Sequence, residues 1–244
     1  MEQSRELSGN QPYTDEKDTF WSGAKDCVPT LLGYLSIGFA AGVVEKTSGL
    51  TMLEIALMSL LLYAGSGQFI AAGMIAASHP VSAIIFTIFF VNSRHFLLSA
   101  AISPYFKGQS FRKNLLTGAL LTDETFGVSI HHARQRKYLN FKWMLGLNVT
   151  AYLNWFLATL AGGFFGNWIP EPEKYGLDFA LPAMFIGLLI LQIMSGKEYF
   201  INILVAVCAV LTVILSSMMF SGEAGVILAT LAASTLGMVL EKWK

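Results

Sequence analysis

A polar stretch at Tyr63–Phe69 interrupts a long apolar segment of this 244-residue chain, and its residue types suit solute binding. Gly65 and Gly67 flank Ser66 and precede Gln68, so side chains impose little constraint on the backbone there. A helix broken at mid-membrane exposes N–H and C=O groups, which many transporters use to bind substrates and ions. We expect such a break, with Gln68 facing a polar cavity. A small-residue seam between two closely packed helices fits the pattern equally well.

A second polar stretch places Asn92, Arg94 and His95 in the middle of another apolar segment. An arginine at mid-membrane costs several kcal/mol, so such a residue faces the protein interior and has a partner there. The alternative is an arginine near a helix end whose side chain extends to the headgroups. Apolar runs at 83–91 and 96–102 favour the interior position. His95 is expected to be a hydrogen-bonded structural histidine rather than a proton carrier.

Two adjacent acids, Asp123 and Glu124, form the third polar stretch, between Thr122 and Thr125. Consecutive residues on a helix point about 100° apart, so these carboxylates are not an acid–base pair. Acids inside a membrane are candidates for ion or proton pathways. We expect one acid to pair with Arg94 and the other to face a cavity or the cytoplasm. Because the surrounding apolar segment is short, the alternative is a loop or re-entrant turn with solvated charges.

Motifs of soluble enzymes are missing from the sequence. It contains no Walker-type phosphate loop, no His-Glu-x-x-His and no nucleophile elbow. The four histidines and two cysteines are not spaced as metal ligands. We therefore expect no enzyme activity, no cofactor and no metal site. A formal net charge of zero gives no reason to expect a nucleic-acid partner.

The composition indicates the bilayer as the solvent of this chain. It is 54% hydrophobic and only 13% charged, whereas soluble domains carry about 25% charged residues. A spanning helix needs about 20 mostly apolar residues. We predict an all-α, polytopic helical membrane protein with about eight transmembrane segments, some broken at mid-membrane, or six or seven if the third or fourth is peripheral. The eight are Cys27–Val44, Met52–Ala77, Pro80–Ser103, Leu115–Ile130, Trp143–Trp168, Leu177–Met194, Tyr199–Phe220 and Ala224–Leu240.

The distribution of basic residues predicts the orientation. Residues 1–24 are expected to form a polar cytoplasmic tail ahead of a transmembrane domain, 25–244, and the first apolar run is a retained helix rather than a secretory signal. Eight spans put twice as many basic residues on the side of both termini, which places the termini in the cytoplasm. That side has Arg5, Lys17, Lys25, Arg134, Arg136, Lys137, Lys142, Lys197, Lys242 and Lys244, and the other has Lys46, Lys107, Arg112, Lys113 and Lys174.

The three polar stretches resemble the signature segments of the AzlC family, the large subunits of bacterial branched-chain amino acid exporters. The similarity covers nearly the whole chain from about Lys25 and includes the later stretch 181–185, Leu-Pro-Ala-Met-Phe. Gly67 and Ser93 depart from the residues usual in the family. The resemblance implies export of valine, leucine, isoleucine or similar amino acids across the bacterial inner membrane. It also implies a small four-span membrane subunit of the AzlD or YgaH type as partner.

For such a transporter domain, a zwitterionic substrate needs a donor for its carboxylate, an acceptor for its ammonium and an apolar slot. Backbone amides at Gly65–Gly67 are candidates for the carboxylate, and Gln68 or Asp123 for the ammonium. A coupling proton could use Asp123, Glu124 or His95, and Tyr63 and Asn92 complete the predicted site. Two rival functions remain: a channel-like permease lined by these residues, or a non-transporting scaffold in which they join helices.

Overall fold

The computed structural model of the chain describes residues 18–106, 108–169, 171–195, 199–217, 232–233, 235–237 and 239–240. Every regular element in these ranges is a helix, which confirms the predicted helical fold. Contacts divide the chain into two compact units, Met1–Leu181 and Pro182–Lys244. The α-helices are α1 (Phe20–Thr47), α2 (Met52–Leu61), α3 (Gly65–Ala76), α4 (Val81–Asn92), α5 (Arg94–Ile102), α6 (Phe111–Ala119), α7 (Asp123–Arg136), α8 (Phe141–Phe165), α9 (Ala180–Ser195) and α10 (Tyr199–Ser217).

Threonine capping boxes start three of these helices. In each, the threonine hydroxyl accepts from the backbone N–H three residues on, and that later side chain accepts from the threonine N–H. The first box starts α1 at Phe20, so the helix begins within residues 1–24, the stretch predicted as a tail. Residues 1–17 of that stretch lie outside the described ranges. The boxes are Thr19 with Ser22 for α1, Thr51 with Glu54 for α2, and Thr122 with Thr125 for α7.

Helices α1 and α8 pack side by side and run parallel. A Cβ on Gly23 would lie 1.9 Å from the Trp143 carbonyl oxygen, and one on Gly42 would lie 2.0 Å from that of Thr159. Only glycine permits this approach of the two backbones, which is how small residues join membrane helices. The starts of the two helices contact each other, and so do their ends, which shows that the helices are parallel. We call the first turns of α1 and α8 the N end of the pair, and their last turns the C end.

Helix α2 runs from the C end to the middle of the pair and stops there. Ile55, near its start, packs beside Gly163 in the last turns of α8. Leu60, near its end, accepts a 2.8 Å hydrogen bond from the hydroxyl of Tyr152, about halfway along α8. The chain then turns at Tyr63, whose φ of 40° lies in the left-handed region. This turn is the break predicted near the glycines.

Helix α3 returns toward the C end instead of continuing across. It begins at Gly65, against the indole ring of Trp155 in the middle of α8. Three residues later, Gln68 reaches Glu45 in the last turn of α1. The pair α2–α3 is therefore a helical hairpin that enters from the C end and leaves by the same end.

Helices α4 and α5, together with the short turn that follows them, form an apolar segment of 26 residues, Val81–Phe106. The segment follows α3 after a short turn and runs antiparallel to it, passing Ser66 at Arg94. At its far end, the Tyr105 carbonyl accepts a 2.9 Å hydrogen bond from the Leu139 N–H, just before α8 begins. The segment thus crosses from the C end to the N end.

Helices α6 and α7 form a second hairpin, which enters from the N end. Helix α6 runs from the N end toward the middle of the pair, beside the first turns of α8. The chain turns at residues 120–122, and α7 then runs back to the N end, again beside α8. The contacts that define this path are Lys113 over the Phe141 ring at 5.4 Å, Asn148 Nδ2 to the Thr117 carbonyl at 3.2 Å, and the His132 ring stacked on Trp143 at 4.0 Å.

The predicted count of eight spans is not what the described residues show. Four helices there are long and apolar enough to cross a membrane: Phe20–Thr47, Val81–Phe106, Phe141–Trp168 and Tyr199–Ser216. The predicted spans Met52–Ala77 and Leu115–Ile130 fold as the two hairpins, because each is broken at its centre and turns back. The predicted span Leu177–Met194 corresponds to α9, of 16 residues. Most of Ala224–Leu240 lies outside the described residues.

Candidate functional site

The turns of the two hairpins meet near the middle of the α1–α8 pair, and Arg94 joins them. Its Nη2 lies 2.9 Å from Asp123 Oδ2 at the start of α7 and donates a 2.8 Å hydrogen bond to Ser66 Oγ at the start of α3. The Arg94 and Asp123 side chains are 23% and 20% exposed. The sequence predicted an acidic partner for Arg94, and the structure supplies Asp123.

The second acid is held by α1. The Tyr34 hydroxyl donates a 2.9 Å hydrogen bond to Glu124 Oε2 and is also hydrogen-bonded to the Thr122 hydroxyl. The neighbouring carboxylates therefore turn to different helices, as their angular separation requires. Tyr34 anchors the α6–α7 turn to the middle of α1.

The two half-helices that begin at these turns differ in their caps. The N-terminus of α7 is closed by its own threonines, since Thr122 accepts from the Thr125 N–H at 3.3 Å. The N-terminus of α3 follows Ala64, which has no side-chain oxygen and makes no cap. The first N–H groups of a helix have no partner inside it and carry partial positive charge. Gly65, Ser66 and Gly67 thus present uncapped amides beside the Arg94 guanidinium.

Two buried polar atoms at this N-terminus make no hydrogen bond with the described residues: Asn92 Oδ1 and the Tyr63 hydroxyl. The same holds for His95 Nε2 in the first turn of α5. The Asn92 amide lies beside Gly67, where a Cβ would be 3.4 Å from its nitrogen. Buried polar atoms are almost always hydrogen-bonded in native proteins. A ligand with both donors and acceptors would satisfy these groups.

Aromatic rings form the apolar wall of the site. A Cβ on Gly65 would lie 3.0 Å from the Trp155 ring, so the glycine allows α3 to rest on the indole. Tyr34 meets Trp155 edge to face, with ring centroids 5.8 Å apart. Tyr63 meets Tyr152 in the same way at 4.6 Å. The site therefore combines uncapped amides, a guanidinium and a carboxylate with an apolar surface.

Gln68 does not face this site, contrary to the sequence prediction. Its side chain is 0% exposed, with Nε2 donating to Glu45 Oε1 at 2.8 Å and Oε1 accepting from Trp155 Nε1 at 2.7 Å. Both ends of the amide are thereby occupied inside the protein. Gln68 connects α3 to α1 and α8, so it is removed from the residues expected to meet an ammonium group.

Sequence reasoning missed Tyr34, Glu45 and Trp155. Tyr34 and Trp155 lie in apolar segments, where an aromatic residue carries no polar signal. Glu45 directly follows the predicted end of the first segment, and the true end of α1 is Thr47. A longer first helix would have revealed a buried acid. Within the described residues, no group of three or more His, Cys, Asp or Glu side chains is arranged to hold a metal ion.

Comparison with known proteins gives consistent similarities. Residues 29–169 match the AzlC protein family. The chain is 26% identical over 236 residues to the branched-chain amino acid transport protein AzlC of Bacillus subtilis, covering 94% of this chain and 90% of that protein. It is 29% identical over 178 residues to the inner membrane protein YgaZ of Escherichia coli, covering 70% and 72%. An uncharacterized membrane protein of Archaeoglobus fulgidus is 32% identical over 173 residues, covering 70% and 74%. No solved structure matches the chain.

Proposed function

The chain belongs to the AzlC family, and on this basis we propose that it exports branched-chain or similar apolar amino acids, such as valine, across the cell membrane. It would act as the large subunit of a two-component secondary transporter. The Bacillus relative is named for branched-chain amino acid transport, and the Escherichia relative for its place in the inner membrane. The direction and the cargo are our proposal.

The observation that carries this function is the uncapped N-terminus of α3 beside Arg94. A half-helix N-terminus aimed at mid-membrane is a known way to bind a substrate carboxylate. Here the amides of Gly65–Gly67 and the guanidinium offer donors to one anion. The proposal places the substrate carboxylate at this point.

The groups facing that point suit the rest of an apolar amino acid. The Asp123 carboxylate and Asn92 Oδ1 are acceptors for the ammonium group, and neither belongs to the cap of α7. Trp155 and Tyr63 bring aromatic rings close to this point, and the proposal places the branched aliphatic side chain next to them. A ligand of this kind would pair polar atoms that are otherwise left without partners.

We propose that the N end of the α1–α8 pair faces the cytoplasm, with the chain's N-terminus on that side. The two-hairpin path moves Arg112 and Lys113 to the N end, whereas eight spans would place them on the opposite side. The positive-inside rule then favours this orientation more strongly than eight spans do. Among the described residues of the first unit, the N end has Lys25, Arg112, Lys113, Arg134, Arg136, Lys137 and Lys142, and the C end has Lys46 and Lys174.

The proposed partner is a small four-span membrane subunit of the AzlD or YgaH type. Helix α4 contains no buried residue, and Phe86, Phe89 and Phe90 are among its exposed side chains. This apolar surface is available to lipid or to such a subunit. The partner assignment itself rests on the family resemblance.

Valine efflux from cells tests the function. Cells lacking the gene, loaded with a valine-containing dipeptide, should retain valine, and co-expression of the chain with the small subunit should restore saturable efflux. Arg94→Ala should abolish the efflux, whereas Lys174→Ala, a cation outside the site, should not. Retention of valine despite both proteins reaching the membrane would contradict the proposal. Efflux that neither saturates nor shows counterflow would indicate a channel instead.

A further inference from the structure

Glu45 is an acid enclosed in the protein interior at the C end of α1. Its side chain is 0% exposed. Oε1 accepts a 2.8 Å hydrogen bond from Gln68 Nε2, whereas Oε2 has no hydrogen-bond partner among the described residues. A carboxylate held in this way has lost its hydration and recovered only one hydrogen bond in exchange.

No described cation compensates this carboxylate. On α1 itself, the Lys46 ammonium turns away to the Leu50 carbonyl at 3.5 Å. On α2, the only ionisable group is Glu54, whose carboxylate is occupied by the N–H and hydroxyl of Thr51. Helix α3 and the C-end half of α8, residues 155–165, contain no ionisable side chain. An uncompensated buried carboxylate is neutralised most readily by taking up a proton.

The direction of the hydrogen bonds at Gln68 is fixed. The Trp155 indole N–H can only donate, so the Gln68 atom it meets is the carbonyl oxygen. The Gln68 nitrogen is then left to donate to Glu45. The carboxyl group is therefore tied through one amide to the indole on which the first turn of α3 rests.

We propose that Glu45 is the proton-binding site that couples amino acid movement to a pH gradient; this rests on the proposed function and assigns its coupling residue. One proton adds to the free oxygen Oε2 and converts the carboxylate into a neutral acid, and the same O–H bond breaks when the proton leaves. The bond from Gln68 is charge-assisted only in the ionised state, so it weakens when the proton binds. Glu45 lies at the C end, where a proton from the outside would arrive.

Proteoliposomes containing the full chain and the small subunit separate coupling from binding. Counterflow of labelled valine without a pH gradient reports binding and turnover. Accumulation driven by an interior one pH unit more acidic reports coupling, and one proton exchanged per valine gives about ten-fold accumulation. We expect Glu45→Gln to retain counterflow and lose the accumulation. The control Glu173→Gln, which removes an exposed acid, should retain both.

Accumulation by Glu45→Gln equal to that of the wild type would overturn the inference, as would wild-type accumulation that follows a sodium gradient and ignores pH. If Glu45→Gln does not assemble and shows no counterflow, Glu45→Asp decides the matter. It keeps a carboxyl group on a shorter stem, which changes the distance to Gln68, so the pH midpoint of accumulation should differ from that of the wild type. An unchanged midpoint would overturn the inference. A wild type without counterflow would overturn both the coupling site and the proposed function.

Discussion

The Arg94–Asp123 ion pair predicts a specific pattern of losses, because it joins the two hairpins and also borders the proposed site. At 2.9 Å, two unit charges attract by about 1.4 kcal/mol at the dielectric of water and by about 5.7 kcal/mol at an effective dielectric of 20. Both side chains are about one-fifth exposed, so the attraction should lie between these limits. We expect a coupling energy of about 3 kcal/mol, within the range that double-mutant cycles give for close charge pairs.

A double-mutant cycle measures this coupling. Asp123→Asn, Arg94→Gln and the double variant are unfolded with SDS in mixed micelles, and the free energy of unfolding is compared with that of the wild type. The double variant should lose less stability than the sum of the two single losses. Valine efflux should be lost in all three, because the Arg94 guanidinium is proposed to meet the substrate carboxylate and the Asp123 carboxylate its ammonium group. We therefore expect the double variant to be more stable than the sum of the single losses predicts, and still to lack efflux.

The exposed ion pair Lys174–Glu171 is the matched control. Its atoms are 2.7 Å apart, closer than those of the central pair, but its side chains are 68% and 60% exposed. The same cycle there should give less than about 1 kcal/mol. Equal coupling at both pairs would refute the claim that burial strengthens the central one. Wild-type efflux by Asp123→Asn would refute its role at the site.

Two further predictions concern the fold. Cysteines introduced at Ser110 and Lys137 should react with a membrane-impermeant maleimide from the same side of the membrane. A cysteine at His79 should react from the other side. Eight spans would instead put Lys137 and His79 on the same side. Gly42→Ala should cost about 1–3 kcal/mol, because its Cβ would lie 2.0 Å from an α8 carbonyl oxygen, whereas Gly33→Ala, with nothing within 4 Å, should cost nothing. SDS unfolding measures the stabilities of the two glycine variants. Equal stabilities would contradict the close packing of α1 and α8 through glycine.

The break in the second apolar segment was predictable from sequence, but its consequence was not. Glycines and a serine within an apolar run indicate where a helix stops, and the structure turns just before them, at Tyr63. Whether the chain then continues or returns depends on contacts made far along the sequence. Ile55 against Gly163 and Gln68 against Glu45 decide it, and neither contact has a local signature. A hydropathy count treats a crossing and a returning hairpin of equal length alike.

The fourth segment shows how far local reasoning extends. Its two acids suit an ion or proton pathway or, in a segment this short, a re-entrant turn with solvated charges. The structure has the turn, but with both acids paired rather than solvated. Their partners follow from simple geometry, since residues 100° apart turn to different neighbours. The neighbours themselves, Arg94 and Tyr34, lie 29 and 90 residues away, as the numbering shows. Charge complementarity suggested Arg94 for one acid, but nothing in an apolar segment distinguished Tyr34 from any other aromatic residue.

On the proposed cycle, substrate and proton act on one turn of α3. Gly65 and Ser66 meet the carboxylate, and Gln68, about 4.5 Å further along the axis, holds Glu45. A change in the Gln68–Glu45 bond is therefore a change in the segment that holds the substrate. The two hairpins are not equivalent in this respect. The α6–α7 turn is closed by its threonines and tied to α1 by Tyr34, whereas the α2–α3 turn has no cap of its own. In the proposed cycle the α2–α3 turn therefore offers its backbone amides to the substrate, whereas the amides at the start of α7 are occupied by its own threonines.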